Sequence, residues 1–405
     1  MKFSFIIPAY NNKRLLANTL LALNMQKGYG VGDYEVIVID DGSPERLFDY
    51  IKEVPWNYQL KYIYIDRLPS SCRAGARNKG LEIAIGKVVI FIDSDMLVNE
   101  NYLSEVERYF KVDENICLMS TRLYADREIQ SSEIVVKTVF NKYNFKGCRV
   151  KHLENRHVVF NSSSYNANVL KTPWLFTYSC NLAVSRKNLE MVGGFDENYK
   201  GWGYEDVDLG YRLYKRGIKI VINHKMEAIH QYHGDSSVFF SWSHNKFNQI
   251  RSNEDYFYEK YREIEQIIPF YYKRERFYIF QKFRLHTFVS KKSRSRKTYK
   301  LSLKNNSEFE KILKMLEEKA SIKGEKSLIY IYDYMENTNI DILIQLYNSS
   351  SCMIRYYPIS RCGKSLSIVV ISLLYMFLRA LFGVNLILKE SIQKFIGKGQ
   401  QRQLG

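Results

Sequence analysis

Several carboxylates in this chain fall in short clusters where a reaction could use them. In "FIDSD", Asp93 and Asp95 are two residues apart. On an extended backbone that spacing puts both on one side. Such a pair suits a hard divalent cation, Mg²⁺ or Mn²⁺, completed by water and phosphate oxygens; it also reads as a helix cap or an acidic loop. "DDGS" holds Asp40 and Asp41. A carboxylate there can accept the N–H of a ring, with Tyr10 as a stacking surface, and the Asp-Gly pair equally marks a turn. "CRAGARNKG" offers Arg73, Arg77 and Lys79; guanidinium groups match phosphate, while a solvated helix face is the plainer reading. "GWGYED" sets Glu205 and Asp206 behind Trp202 and Gly203, as either the acidic start of a helix or the edge of a site. His230 and His233 in "AIHQYHGD" become ligands only if the fold carries one of them to Asp95.

The elements that must position these residues can be read from periodicity. "FSFIIPAY", "YEVIVID", "LKYIYID" and "KVVIFID" are short apolar runs rich in β-branched residues, so they predict buried strands. Helical spacing separates them, as in "NKRLLANTLLALNMQK" and "AGARNKGLEIAIG". Strands alternating with helices imply parallel βαβ units and a doubly wound sheet, in which ligands sit beyond the carboxyl ends of the strands. Those ends are 8–12, 40–43 and 93–95, and two of the three are acidic. Farther on, "WLFTYSCNLAVSR" and "IKIVIN" predict strands. From Glu205, Val207, Tyr211 and Tyr214 follow helical spacing, with Lys215, Arg216 and Gly217 closing the helix.

The chain has 405 residues, 46% hydrophobic and 25% charged, as an ordinary globular protein does. A net charge of +17 and the 32 Tyr and 23 Phe are unusual. Much of the basic charge falls between Tyr261 and Lys304, as either a solvated face or a surface for an anionic membrane or acceptor. Cys72, Cys117, Cys148, Cys180, Cys352 and Cys362 form no CxxC pair and show no regular spacing, which argues against a zinc or disulfide framework and fits reduced thiols in the cytoplasm. The first apolar run, broken by Pro8 and Asn11, is too short for a signal peptide. "RCGKS" is no phosphate loop, because Pro358 stands where that motif needs its first glycine. Three regions are expected: a catalytic domain over 1–255, a basic aromatic helical linker over 256–305, and an accessory α/β or helical region over 306–405. The last contains an apolar helix at 366–388, broken by Arg379 and so read as interfacial or buried rather than spanning.

Taken in order, "SFIIPAYNN", "VIVIDDGS", "ARNKG", "FIDSD", "FDENYKGWGYEDVDLGYRL" and "AIHQYH" resemble the family 2 glycosyltransferases of the GT-A fold. The later motifs resemble the galactosyltransferase C-terminal-type segment of bacterial chondroitin-type polymerases. The resemblance covers about residues 1–240. It implies that Pro8, Tyr10 and Asp41 hold the uridine of a UDP-sugar, with Arg77 near the ribose or diphosphate. Asp93, Asp95 and His230 would bind the metal, with Asp95 the more direct ligand, and His233 has no counterpart. Asp206 would take the acceptor proton and Glu205 would orient acceptor or donor. Trp202 and Gly203 would meet the acceptor, and Tyr204 stands where many relatives carry glycine. The second acid, Asp206, argues for inversion.

The function expected is therefore metal-dependent, inverting transfer from a UDP-sugar to a cell-surface glycan, at the inner face of the membrane. A lipid-linked glycan or a peptide are alternative acceptors. A silent nucleotide-sugar binder is a second class. Nucleic-acid binding is a third, disfavoured because no motif for it accompanies the charge.

Overall fold

The apolar runs near the N-terminus assemble as the parallel half of a seven-stranded sheet. The structure is a computed structural model, and it describes residues 1–68, 71–145, 152–154, 156–163, 165–234, 244–264, 297–322, 326–336, 340–347 and 352–359. Strands β1 (Phe3–Ala9), β2 (Tyr34–Asp40), β3 (Gln59–Tyr64) and β4 (Val88–Ile92) alternate with helices α1 (Lys13–Leu23) and α2 (Arg73–Ile83). Every residue of β2 and β4 is buried, as expected of strands covered on both faces. The sheet continues through β8 (Asn181–Ser185), β6 (Ile116–Met119) and β9 (Lys219–Ile222), in the order β3-β2-β1-β4-β8-β6-β9. Only β8 runs against its neighbours β4 and β6. The order reverses direction between β1 and β4, which opens a crevice at their carboxyl ends. The mixed α/β architecture with a mainly parallel sheet agrees with the expected GT-A class.

A second, small sheet has one evident task. It joins β5 (Met96–Leu97), β10 (Ala228–His230) and β7 (Arg122–Tyr124) in the order β5-β10-β7. Antiparallel pairing sets His230 opposite Met96, and the Gln231 N–H donates to the Asp95 carbonyl at 2.8 Å. The histidine motif is thus hydrogen-bonded to the acidic turn, although 134 residues of sequence lie between Asp95 and His230.

Helix α3 (Tyr102–Phe110) follows β5, then come the short α4 (Ser131–Val135), α5 (Thr138–Lys142) and α6 (Arg156–Ser162), and α7 (Arg186–Val192) packs beside α8 (Glu205–Lys215). Helix α8 also lies against the 3₁₀ turn Pro173–Phe176, and the close approach requires Gly210, where a Cβ would fall 2.0 Å from Thr177 Oγ1. Helix α9 (His244–Lys260) then covers the loop that enters α8. The boundary expected at 255 falls inside this helix.

A C-terminal α/β lobe follows. Strands β11 (Lys297–Leu303), β12 (Ser327–Asp333) and β13 (Cys352–Pro358) run parallel, connected by α10 (Asn306–Ser321) and α11 (Ile340–Tyr347). Strand β11 lies within the stretch expected to be linker. Its residues are mostly exposed or half-buried, so its lysines hide the strand pattern. The lobe is tied to the large sheet. Asp341 receives Arg108 of α3 in a bidentate pair at 2.9 and 3.0 Å, and Gln345 bonds both the N–H and the carbonyl of Ile222, each at 3.2 Å. The apolar stretch 366–388 lies outside the described residues, and among those residues no helix is long and apolar enough to cross a membrane.

Candidate active site

The end of β2 divides its two acids by role. Asp40 is fully buried and turned inward; it accepts from the N–H groups of Ser43 at 2.9 Å and Leu47 at 3.2 Å and from the Tyr62 hydroxyl. Asp41 faces the crevice, beside exposed Tyr10 at the end of β1. Arg67 donates to Asp41 Oδ2 at 2.8 Å and lies 4.0 Å above the Tyr10 ring. Gly42, at φ 73°, permits this: a Cβ there would strike Arg67 Cβ at 2.4 Å. The other oxygen, Asp41 Oδ1, is buried with no hydrogen bond, so an acceptor is available next to an aromatic ring. Burial pushes the Asp41 carboxyl upward, and Arg67 opposes it. Pro8 sits in β1 opposite Ile39, at the floor of this corner.

Arg77 joins the crevice to the loop ahead of α8. Projecting from α2, it is only 2% exposed. Its Nη2 donates to Asp93 Oδ1 at 2.9 Å and its Nη1 to Glu205 Oε1 at 3.2 Å. Burial works against its charge, but the carboxylates of Asp93, Glu205 and Asp206 outweigh burial and hold it more firmly protonated than usual. Lys79 pairs instead with Glu82 on the exposed face of α2. The basic segment therefore has one inward residue and a solvated face.

Asp93 and Asp95 do not share a side, because the chain turns after Ile92 instead of remaining extended; the Met96 N–H bonds the Asp93 carbonyl at 3.2 Å. Asp93 goes to Arg77. Asp95 goes to the histidines, with Oδ2 3.4 Å from His230 Nε2 and 3.2 Å from His233 Nε2. Ligand atoms of Asp95, His230 and His233 lie within 4.8 Å of one another, and Asp93 is not part of this group. The residues fit a cation. His230 Nδ1 lies 3.0 Å from the Gln231 carbonyl, so Nδ1 must carry the proton there and Nε2 keeps its lone pair for a ligand. Asp95 Oδ1 is buried without a hydrogen bond. Burial holds His230 below its usual value and hence neutral. Burial also raises Asp95, but His230, His233 and Arg122 outweigh it and keep the carboxyl ionised far below the usual range. Two imidazoles argue against Mg²⁺, which takes oxygen donors, and with the carboxylate suit a divalent transition metal.

The third group lies at the start of α8. Glu205 is buried on Arg77. Asp206 accepts from the Val207 N–H at 2.8 Å and the Ser179 N–H at 3.3 Å, and it keeps partial contact with solvent. Burial, then the neighbouring Glu205 charge, push its pKa up to about 7, against Arg77 and the two N–H groups. The helix dipole alone would hold the group ionised well below neutrality; burial beside a second acid wins. Asp208 is a buried hub, accepting from Arg212 at 2.6 Å and from Lys260 and Tyr261 of the α9 region, each at 2.8 Å.

Tyr204 caps this helix in the left-handed region, φ 74° and ψ −17°, where glycine is the easy residue. Its side chain is buried; the hydroxyl donates to Glu254 of α9 and the ring meets Phe257 at 5.5 Å. Half-buried Trp202 and Gly203 precede it, and Asn253 of α9 donates to the carbonyls of Lys200 at 2.9 Å and Gly203 at 2.8 Å. Sequence reasoning left Arg67 unmarked and gave His233 no role. For His233 the three-residue spacing from His230 was a usable signal; a lone arginine after β3 offers none.

Comparison with known proteins places the same residues within two family profiles. Residues 4–174 match the profile of glycosyl transferase family 2, and residues 156–234 match the one described as the N-terminal domain of galactosyltransferase. The chain is 31% identical over 234 residues to a chondroitin synthase of Escherichia coli, covering 53% of this chain and 32% of that one. It is 28% identical over 250 residues to a validoxylamine A glucosyltransferase of Streptomyces hygroscopicus subsp. jinggangensis, covering 58% and 57%. A chondroitin synthase of Pasteurella multocida is 29% identical over 234 residues, covering 53% and 23%. The chain thus spans between about a quarter and just over half the length of these relatives. Residues 4–234, which carry all three groups of the site, thus match the glycosyl transferase family 2 profile followed by the galactosyltransferase one.

Proposed function

We propose that the protein is a metal-dependent, inverting glycosyltransferase that moves a sugar from a UDP-sugar to a glycan acceptor, with Asp206 as general base. The observation that carries this reading is the Arg77 bridge, in which one buried guanidinium holds Asp93 on the donor side and Glu205 beside the base.

Asp41 Oδ1 would accept the imide N–H of uracil while Tyr10 provides a face for the ring. Mn²⁺ held by Asp95, His230 and His233 would neutralise charge on the leaving diphosphate. Asp206 would take the proton of the acceptor hydroxyl. That oxygen would then bond to the anomeric carbon as the bond from carbon to diphosphate breaks, inverting the centre in one displacement. A base poised near neutral pH suits this step. Glu205, fixed by Arg77, would orient the acceptor, and Trp202 would lie against its ring. Two relatives are named as chondroitin synthases, which supports a polysaccharide acceptor. The basic stretch 261–304 and the apolar stretch 366–388 support work at the inner face of a membrane.

The test is a panel of UDP-sugars with Mn²⁺ and chondroitin oligosaccharides, with products read by NMR. An α-linked donor should yield a β-linked product. Retention of configuration would remove Asp206 as base, and failure to release UDP from any donor would remove the enzyme reading.

A further inference from the structure

Strand β7 brings Arg122, whose charge helps keep Asp95 ionised, to the metal side of the site. Parallel pairing sets Arg122 opposite Ala228 and Tyr124 opposite His230, and residues two apart on a strand share a face. Arg122, Tyr124 and His230 therefore rise from one face of the small sheet. The Tyr124 ring meets His230 edge-on at 5.3 Å, and the Arg122 guanidinium lies 5.4 Å from the centre of the same ring. One aromatic ring thus separates Arg122 from a candidate metal ligand. Asp93 and Asp95 are also within its electrostatic reach.

The guanidinium is anchored at one end only. Its Nε lies 3.2 Å from Oε2 of buried Glu154. Glu154 also receives the fully buried Arg156 at 2.6 Å, so one carboxylate faces two guanidinium groups and leaves one positive charge over. Among the described residues neither terminal amine of Arg122 has a hydrogen-bond partner, and the side chain keeps 17% exposure. Arg77 differs, because both its Nη groups are taken by Asp93 and Glu205.

A guanidinium with free amines beside a site for a divalent cation repels that cation. An anion lying between them turns the repulsion into a clamp. A diphosphate suits both sides, with oxygens for the metal and a further pair for the planar fork of the arginine. We infer that Arg122 binds the diphosphate of the donor opposite the metal, and that Arg77 instead holds the acids in place. The inference rests on the glycosyltransferase reading and moves the diphosphate contact away from the residue that the resemblance suggested.

UDP, uridine and inorganic pyrophosphate are titrated by calorimetry into the full chain, with Mn²⁺ and with metal removed by chelating resin. Arg122 needs no metal, so the metal-free wild type should bind UDP at least about tenfold tighter than uridine, and pyrophosphate should compete with UDP. Arg122→Gln should remove that difference and leave the affinity for uridine unchanged. Arg122→Lys, which keeps the charge but not the fork, should restore part of it. Mn²⁺ binding without nucleotide, followed by electron paramagnetic resonance, should be no weaker in Arg122→Gln, since a positive charge has gone. A merely structural role would weaken uridine, UDP and Mn²⁺ together. That pattern overturns the assignment, as does equal binding of UDP and uridine by the metal-free wild type, or an Arg122→Gln variant that keeps the wild-type preference. Binding of neither UDP nor uridine with Mn²⁺ present refutes the donor reading, and the assignment with it.

Discussion

Replacing Asp206 with Asn should destroy turnover and at the same time stabilise the fold at alkaline pH. The first effect follows from losing a general base, commonly 10²–10⁴-fold in rate. The second follows from where the carboxylate sits. Its pKa is raised from 3.8 to about 7 by burial and by Glu205, which corresponds to on the order of 4 kcal/mol between the two protonation states. Partial solvent contact screens that charge, and about half of it is a fair allowance. The sign is fixed by proton binding. Between pH 4 and 7 the folded chain keeps a proton that the unfolded chain has released, so this group's contribution is fully present below pH 4 and is lost as pH rises through 7. Asn cannot ionise and escapes the loss. Urea denaturation of both proteins should show the variant gaining on the order of 1–2 kcal/mol relative to wild type between pH 5 and pH 8. In the wild type, the acid limb of kcat/KM should lie near pH 7, and Glu205→Gln should move it downward by removing the neighbouring charge. Wild-type turnover in Asp206→Asn, a pH-independent stability difference, or an acid limb indifferent to Glu205 would refute the reasoning.

Five other substitutions probe the remaining parts of the site. Tyr204→Gly relieves a left-handed strain of about 1–2 kcal/mol but removes a buried ring, at about 3–5 kcal/mol; a net loss of about 2 kcal/mol in urea denaturation is expected, and a more stable variant would show that the anchor to α9 is dispensable. His233→Ala should weaken Mn²⁺ binding by at least about tenfold in an electron paramagnetic resonance titration, whereas Asp93→Asn should cost less than Asp95→Asn. Arg67→Ala should weaken UDP binding more at pH 5.5 than at pH 8 by calorimetry, because burial then raises the Asp41 carboxyl unopposed and protonation removes its acceptor.

The sequence was most legible where one local pattern determined the outcome. The continuous apolar runs of β1, β2 and β4 specify buried parallel strands, and their polar ends mark the crevice. The pairing of "AIHQYH" with "FIDSD" came from resemblance, since His230 and Asp95 meet only through the small β5-β10-β7 sheet. The split between Asp93 and Asp95 was not legible. Spacing of two gives one face only on an extended backbone, and nothing in "FIDSD" announces that the strand stops at Ile92. Asp206 is half legible for a related reason: its place at a helix start is local and visible, but the burial and the Glu205 charge that override the dipole exist only once the chain has folded around it. Strand β11 was obscured by its lysines, which an edge strand of a three-stranded sheet tolerates.

The attachment of the C-terminal lobe has a practical consequence for anyone handling this molecule. Strand β9 ends the large sheet in strand order, and the amide of Gln345 takes up both backbone groups of Ile222, much as one residue of a neighbouring strand would. Bare sheet edges recruit other chains. A version cut after residue 305, made to obtain the family domain alone, would expose that border and strand Arg108 without Asp341. It should emerge from purification as self-associated material, and the shortest well-behaved fragment will be one that keeps α11.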